Sequence, residues 1–155
     1  HASATKIRIH GDYHLGQVLV IQNDFSIIDF EGEPLRTPAE LRHNFSPLVD
    51  VAGMVRSFAY ASASALRRVA EIQPAGRAAL EAPADEWRRQ VTAAFLGSYR
   101  DATAGLPSLP ADPAVAAAML DFFTLDKALY ELGYELANRP GWVGIPLAAV
   151  LQLIE

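Results

Sequence analysis

The chain has 155 residues, enough for one domain of ordinary size with a substantial core. It contains no cysteine, which excludes thiol catalysis, thiolate zinc sites and disulfide staples. A hydrophobic share of 51% with 20% charged residues marks a folded chain, and a net charge of −5 argues against a nucleic-acid-binding surface. No apolar run approaches the ~20 residues of a membrane helix, and no signal peptide opens the sequence. It starts His1-Ala2-Ser3 without an initiator methionine, as a processed chain or an excised fragment would.

Residues 6–9 (KIRI) read as a short strand, followed by the polar loop His10-Gly11-Asp12-Tyr13-His14-Leu15-Gly16-Gln17. Residues 18–22 (VLVIQ) and 25–30 (FSIIDF) read as two further strands, joined by a turn at Asn23-Asp24 into a hairpin. Such a hairpin returns the acidic run Asp29-Phe30-Glu31-Gly32-Glu33 to the loop and gathers Asp12, Gln17 and Asp29. Beyond residue 45 the chain turns helical and alanine-rich. Ser46-Pro47 caps a helix reaching about residue 70, with an apolar face at Leu48, Val51, Ala52, Val55, Phe58 and Ala59. A break is expected over 73–76, with one further helical turn over 77–81. A second long helix is expected over 85–104, stopped by Gly105. Asp112-Pro113 repeats the cap-plus-proline start for a helix to about Asn138, and residues 146–155 suit a last short one. The expected class is α+β, mostly α: a short hairpin carrying a polar loop, then a helical bundle, in a single domain over 1–155.

The chemistry concentrates in the first thirty-odd residues. Phosphoryl transfer to a hydroxyl needs a carboxylate to orient that hydroxyl and take its proton. It also needs oxygen ligands, one from a carboxylate and one from an amide, for Mg²⁺ on the nucleotide phosphates. Protein kinases carry His-Arg-Asp with an amide five residues after the Asp, then Asp-Phe-Gly. Here Asp12 is that aspartate, Gln17 stands at the plus-five position and Asp29 lies in the second acidic motif, a hairpin away.

His10-Gly11-Asp12 resembles the catalytic loop of the aminoglycoside phosphotransferase and choline kinase group, which reads His-Gly-Asp. The strings RIHGDYHLGQVL, DFEGEP, SPLVDVAGMVRSFAYA and DKALYELGYELANRPGWVGIPL are similar to those of maltokinases. Gln17 and Glu31 depart from the wider group, where Asn is usual at the amide position, but suit that family. The resemblance implies the C-terminal lobe of a protein-kinase-like fold. It implies a cytoplasmic enzyme that moves the γ-phosphate of ATP onto maltose, giving maltose 1-phosphate on the way to α-glucan. It implies Asp12 as catalytic base and Gln17 and Asp29 as Mg²⁺ ligands. His10 is implied as a loop-packing residue rather than a proton carrier, and Asp50 as the aspartate that holds the loop backbone. Substrate contacts are expected from His10, Asp12, Tyr130 and Tyr134. The partners implied are ATP, maltose and an associated or fused trehalose synthase, with neither nucleic acid nor membrane. The ATP-binding lobe that such kinases place before this loop is absent from the 155 residues. The chain alone is therefore expected to be inactive, and to expose an apolar patch and self-associate.

Other readings stand beside this one. His10, Asp12 and His14 alternate at period two and would share one face of a strand as ligands for zinc or iron, although Gly11 and Gly16 favour a tight loop. Asp50 at a helix start is also favoured by the helix dipole alone. Tyr130 and Tyr134, four residues apart and on one face with Asp126, suit either sugar stacking or core packing. Lys127 and Glu131 have the spacing of a surface pair. The acceptor could be another sugar, an aminoglycoside or an amino alcohol, or the chain a noncatalytic module.

Overall fold

The computed structural model describes residues 4–30 and 43–154. Val18–Ile21 (β1) and Asp24–Ile27 (β2) pair antiparallel in the register Val18↔Ile27 to Ile21↔Asp24. The turn is Gln22-Asn23, one residue earlier than the sequence suggests, with Gln22 in left-handed backbone at φ 55°. Residues 6–9 do not form the expected strand. Ile7 makes a single antiparallel bridge with Phe45. Pairing cannot lengthen past Phe45, which runs at once into Ser46-Pro47, where the proline has no N–H and the chain turns into a helix.

Four α-helices follow among the described residues: α1 (Leu48–Ile72), α2 (Arg77–Ala102), α3 (Pro113–Asn138) and α4 (Gly144–Ile154). The Ser46 hydroxyl accepts from the Leu48 amide at 3.3 Å, and Asp112 Oδ1 accepts from Ala114 N at 2.8 Å, so both cap-plus-proline starts work as caps. The stretch over 77–81 is the first turn of α2, which continues through Pro83 rather than starting at Asp85. Packing against α1 offsets the amide bond that Pro83 forgoes. Phe58 meets Phe95 edge-on at 5.7 Å, and Ser62 donates to the Ala84 carbonyl at 3.1 Å.

Helix α1 is the centre of the bundle, with α2 and α3 packed on it and α4 on α3. Its buried face holds Leu48, Val51, Ala52, Met54 and Phe58, with Gly53 and Arg56, whereas Val55 and Ala59 are only half-buried. The inward stripe is thus rotated toward Met54 and Arg56 by a buried ion pair with α3. Arg56 Nε donates to Glu131 Oε2 at 2.8 Å, and Nη2 approaches the same oxygen at 2.8 Å. One turn on, the buried Glu135 accepts from Arg139 through both oxygens, at 2.6 and 2.9 Å, and from the Tyr60 hydroxyl at 3.0 Å. The architecture is a short hairpin followed by a mostly helical bundle.

Candidate functional site

The loop of residues 10–17 lies across the start of α1, and one carboxylate fixes it there. Asp50 accepts from His10 N at 2.7 Å through Oδ2 and from Gly11 N at 2.9 Å through Oδ1. Gly11 can follow because it takes φ 86°, a conformation that L side chains rarely adopt. Three residues further along α1, a Cβ on Gly53 would stand 2.6 Å from the Tyr13 carbonyl oxygen. Only a glycine lets the loop backbone lie this close. The Ser57 hydroxyl, one turn on, accepts from Leu15 N at 2.8 Å.

His10 is buried. Its Nε2 meets the Ile28 carbonyl at 2.8 Å, and its ring packs on Phe30 at 4.8 Å and Tyr13 at 5.5 Å, tying loop to hairpin. His14 Nδ1 accepts from Gly16 N at 3.0 Å and caps the 3₁₀ turn Leu15–Gln17. Both histidines thus serve the loop backbone, and among the described residues no three His, Asp or Glu side chains gather as ligands for a metal. Glu31 and Glu33 lie outside the described residues.

Gln17 is buried, and its Nε2 donates to Asp29 Oδ2 at 2.9 Å. The same residue's carbonyl accepts from Ile28 N at 3.0 Å, so backbone and side chain both latch the amide position to the second acidic motif. Asp29 sits in left-handed backbone at φ 64°. The pair suits a hard cation, because it offers a carboxylate oxygen and an amide oxygen, Oδ1 of Asp29 and Oε1 of Gln17, beyond their mutual bond.

Asp12 faces α3. Its Oδ1 is 3.5 Å from Lys127 Nζ, and its Oδ2 is 3.8 Å from His14 Nε2. Beside it opens a cavity of about 160 Å³, lined by Asp12, Tyr13, Phe123, Asp126, Lys127 and Tyr130 among others. Tyr130 therefore belongs with Asp12. Tyr134, one turn on, is 44% exposed and lies beneath the Arg139 guanidinium at 5.5 Å. A larger apolar groove of about 250 Å³ between α1 and α2 holds no ionisable group and stands apart from these residues. Burial, and the charge of Asp50, push the Tyr13 hydroxyl above its ordinary pKa, so it stays protonated beside the loop. Lys127 and Glu131 are not a mere surface pair: Lys127 reaches Asp12, while Arg56 engages Glu131. Sequence reasoning passed over Gly53 and Arg56 and gave Lys127 only the role of a surface charge. A glycine and an arginine set inside an otherwise apolar helical stripe were the available signal.

No family model matches the chain. Curated relatives do, among them these two. A protein of Mycolicibacterium smegmatis described as glucosamine kinase is 34% identical over 149 residues, covering 94% of this chain and 34% of its own. A second, from Streptacidiphilus jiangxiensis and described in the same words, is 28% identical over 154 residues, with 99% and 33% covered. The fold is shared with a solved glucosamine kinase in complex with glucosamine, ADP and inorganic phosphate. That likeness has a TM-score of 0.80 at 24% identity over 98% of this chain and 34% of that one. Another crystal form of a glucosamine kinase gives a TM-score of 0.78 at 25% identity. The chain spans about a third of the length of the relatives it matches.

Proposed function

We propose that these residues form part of the C-terminal lobe of an ATP-dependent kinase that phosphorylates a single-ring amino sugar, glucosamine or a close analogue. The lobe that covers the nucleotide would lie elsewhere in the parent protein. The cavity at Asp12 carries the reading. Asp12, a second carboxylate (Asp126) and an aromatic ring (Tyr130) line one space, which suits a base beside a sugar. With Asp50 committed to the loop amides, Asp12 and Asp126 still outweigh Lys127, so the lining favours a protonated amine over a neutral sugar. The names of the matched relatives support the same acceptor.

In the reaction the acceptor O–H bond breaks as its oxygen forms a bond to the γ-phosphorus and the bond from that phosphorus to the ADP oxygen breaks. Asp12 orients the hydroxyl and takes its proton. Gln17 and Asp29 would hold Mg²⁺, which neutralises charge on the phosphates. Asp50, Gly53 and His10 fix the loop on which Asp12 stands. The test is Mg·ATP-dependent phosphorylation by the full-length protein with glucosamine, glucose, maltose and an aminoglycoside compared side by side. Glucosamine should give the highest kcat/KM. A preference for maltose would restore the maltokinase reading with its trehalose synthase partner, and turnover of none of them would leave a noncatalytic module.

A further inference from the structure

Asp12 is fixed from two directions. Its backbone belongs to a loop that α1 holds through Asp50 and Gly53. Its carboxylate is met from α3, where Lys127 Nζ stands 3.5 Å from Oδ1 with both side chains only 23% exposed. The ammonium is itself placed, since it also sits 5.1 Å from the centre of the Tyr130 ring. The helix beneath it cannot slide freely, because one turn further on Glu131 is clamped to the buried Arg56 of α1.

We propose that Lys127 is a positioning residue for the phosphoryl-transfer step: it holds Oδ1 of Asp12 and so leaves Oδ2, which lies 3.8 Å from His14 Nε2, to the acceptor hydroxyl. The proposal rests on the kinase reading above. Lys127 transfers no proton. Its charge limits rotation of the carboxylate about its terminal bond, which is otherwise broad and roughly two-fold. Freeing that rotation would cost turnover through orientation while leaving nucleotide binding untouched.

The experiment compares Lys127→Met and Lys127→Arg with wild type in the full-length protein, reading kcat, KM for both substrates and melting temperature. The expected result is a fall in kcat of about tenfold for Lys127→Met, with both KM values within about twofold of wild type and an unchanged melting temperature. Lys127→Arg, which retains a cation, should recover most of the rate. Unchanged kcat in Lys127→Met overturns the proposal. So does a loss carried by acceptor KM, which would make Lys127 a sugar contact, or a loss that Arg does not restore. Absence of sugar phosphorylation in the wild type would instead fail the kinase reading, and the proposal with it.

Discussion

Two oxygens of Asp50 hold two consecutive amides, and the aspartate two positions beyond His10 is thereby aimed at α3 rather than at solvent. The consequence, on the proposed function, is an asymmetry between Asp12 and the Gln17–Asp29 pair. Asp12→Asn keeps the shape of the side chain and removes its basicity, so kcat of the full-length protein should fall by at least ~10² with ATP affinity nearly unchanged. Near-normal turnover would remove Asp12 from the base role. On the proposed function Asp29 and Gln17 would act on the metal instead. Asp29→Asn and Gln17→Ala should each raise the Mg²⁺ concentration for half-maximal rate, the former more, since an ionised oxygen binds a hard cation more strongly than an amide. A Mg²⁺ titration that superimposes on wild type for both variants would show that the cation sits elsewhere. That Gln17 meets Asp29 was legible in short spacings: an Asp, an amide five residues on, and an Asp across a hairpin.

Helix α1 does two jobs with one stripe, burying Leu48, Val51, Ala52, Met54 and Phe58 while leaving a gap at Gly53 for the Tyr13 carbonyl. In an exposed helix Gly→Ala stabilises by ~1 kcal/mol. At residue 53 the sign should reverse, because the added methyl meets a backbone oxygen at 2.6 Å and the loop must move. Gly53→Ala should lower both the melting temperature and kcat, and a variant more stable than wild type would mean that the loop can retreat freely. Helix starts at Ser46-Pro47 and Asp112-Pro113, the break over 73–76 and the stop near Gly105 were readable, because capping and proline chemistry are local. The first turns of α2 were not, since Pro83 marks a boundary by local rules and only contact with α1 overrides it. Arg56 escaped for the same reason. Its partner lies 75 residues away, beyond any spacing rule. Lys127 was visible as a charge but paired with the wrong neighbour, because i,i+4 spacing says nothing of a loop arriving from residue 12.

At the scale of the whole molecule, the polar seam between α1 and α3 contributes a response to acid through Glu131. Burial raises the Glu131 carboxyl above its ordinary value of 4.5, outweighing the lowering by Arg56. A carboxyl raised on folding is protonated more readily in the folded state. Its contribution to stability is complete below 4.5 and is lost as pH rises through the folded value. Lowering the pH from 7 towards 5 should therefore widen the stability difference between wild type and Glu131→Gln in favour of wild type. Parallel urea denaturation midpoints across that range would show that Glu131 stays ionised. The hairpin faces the other way: Val20 is 82% exposed and Phe25 62%. Its strands close over a few residues, whereas the bonds from His10 and Gly11 to Asp50 span separations of 40 and 39. Long-range closure carries the larger entropy cost, so the Gln17–Asp29 half of the site can assemble early and locally while the Asp12 half waits for α1 to dock. Amide protons on His10 and Gly11 then exchange with solvent only when α1 releases the loop, and their protection measures how often the Asp12 loop comes free through brief opening of the bundle rather than through the hairpin.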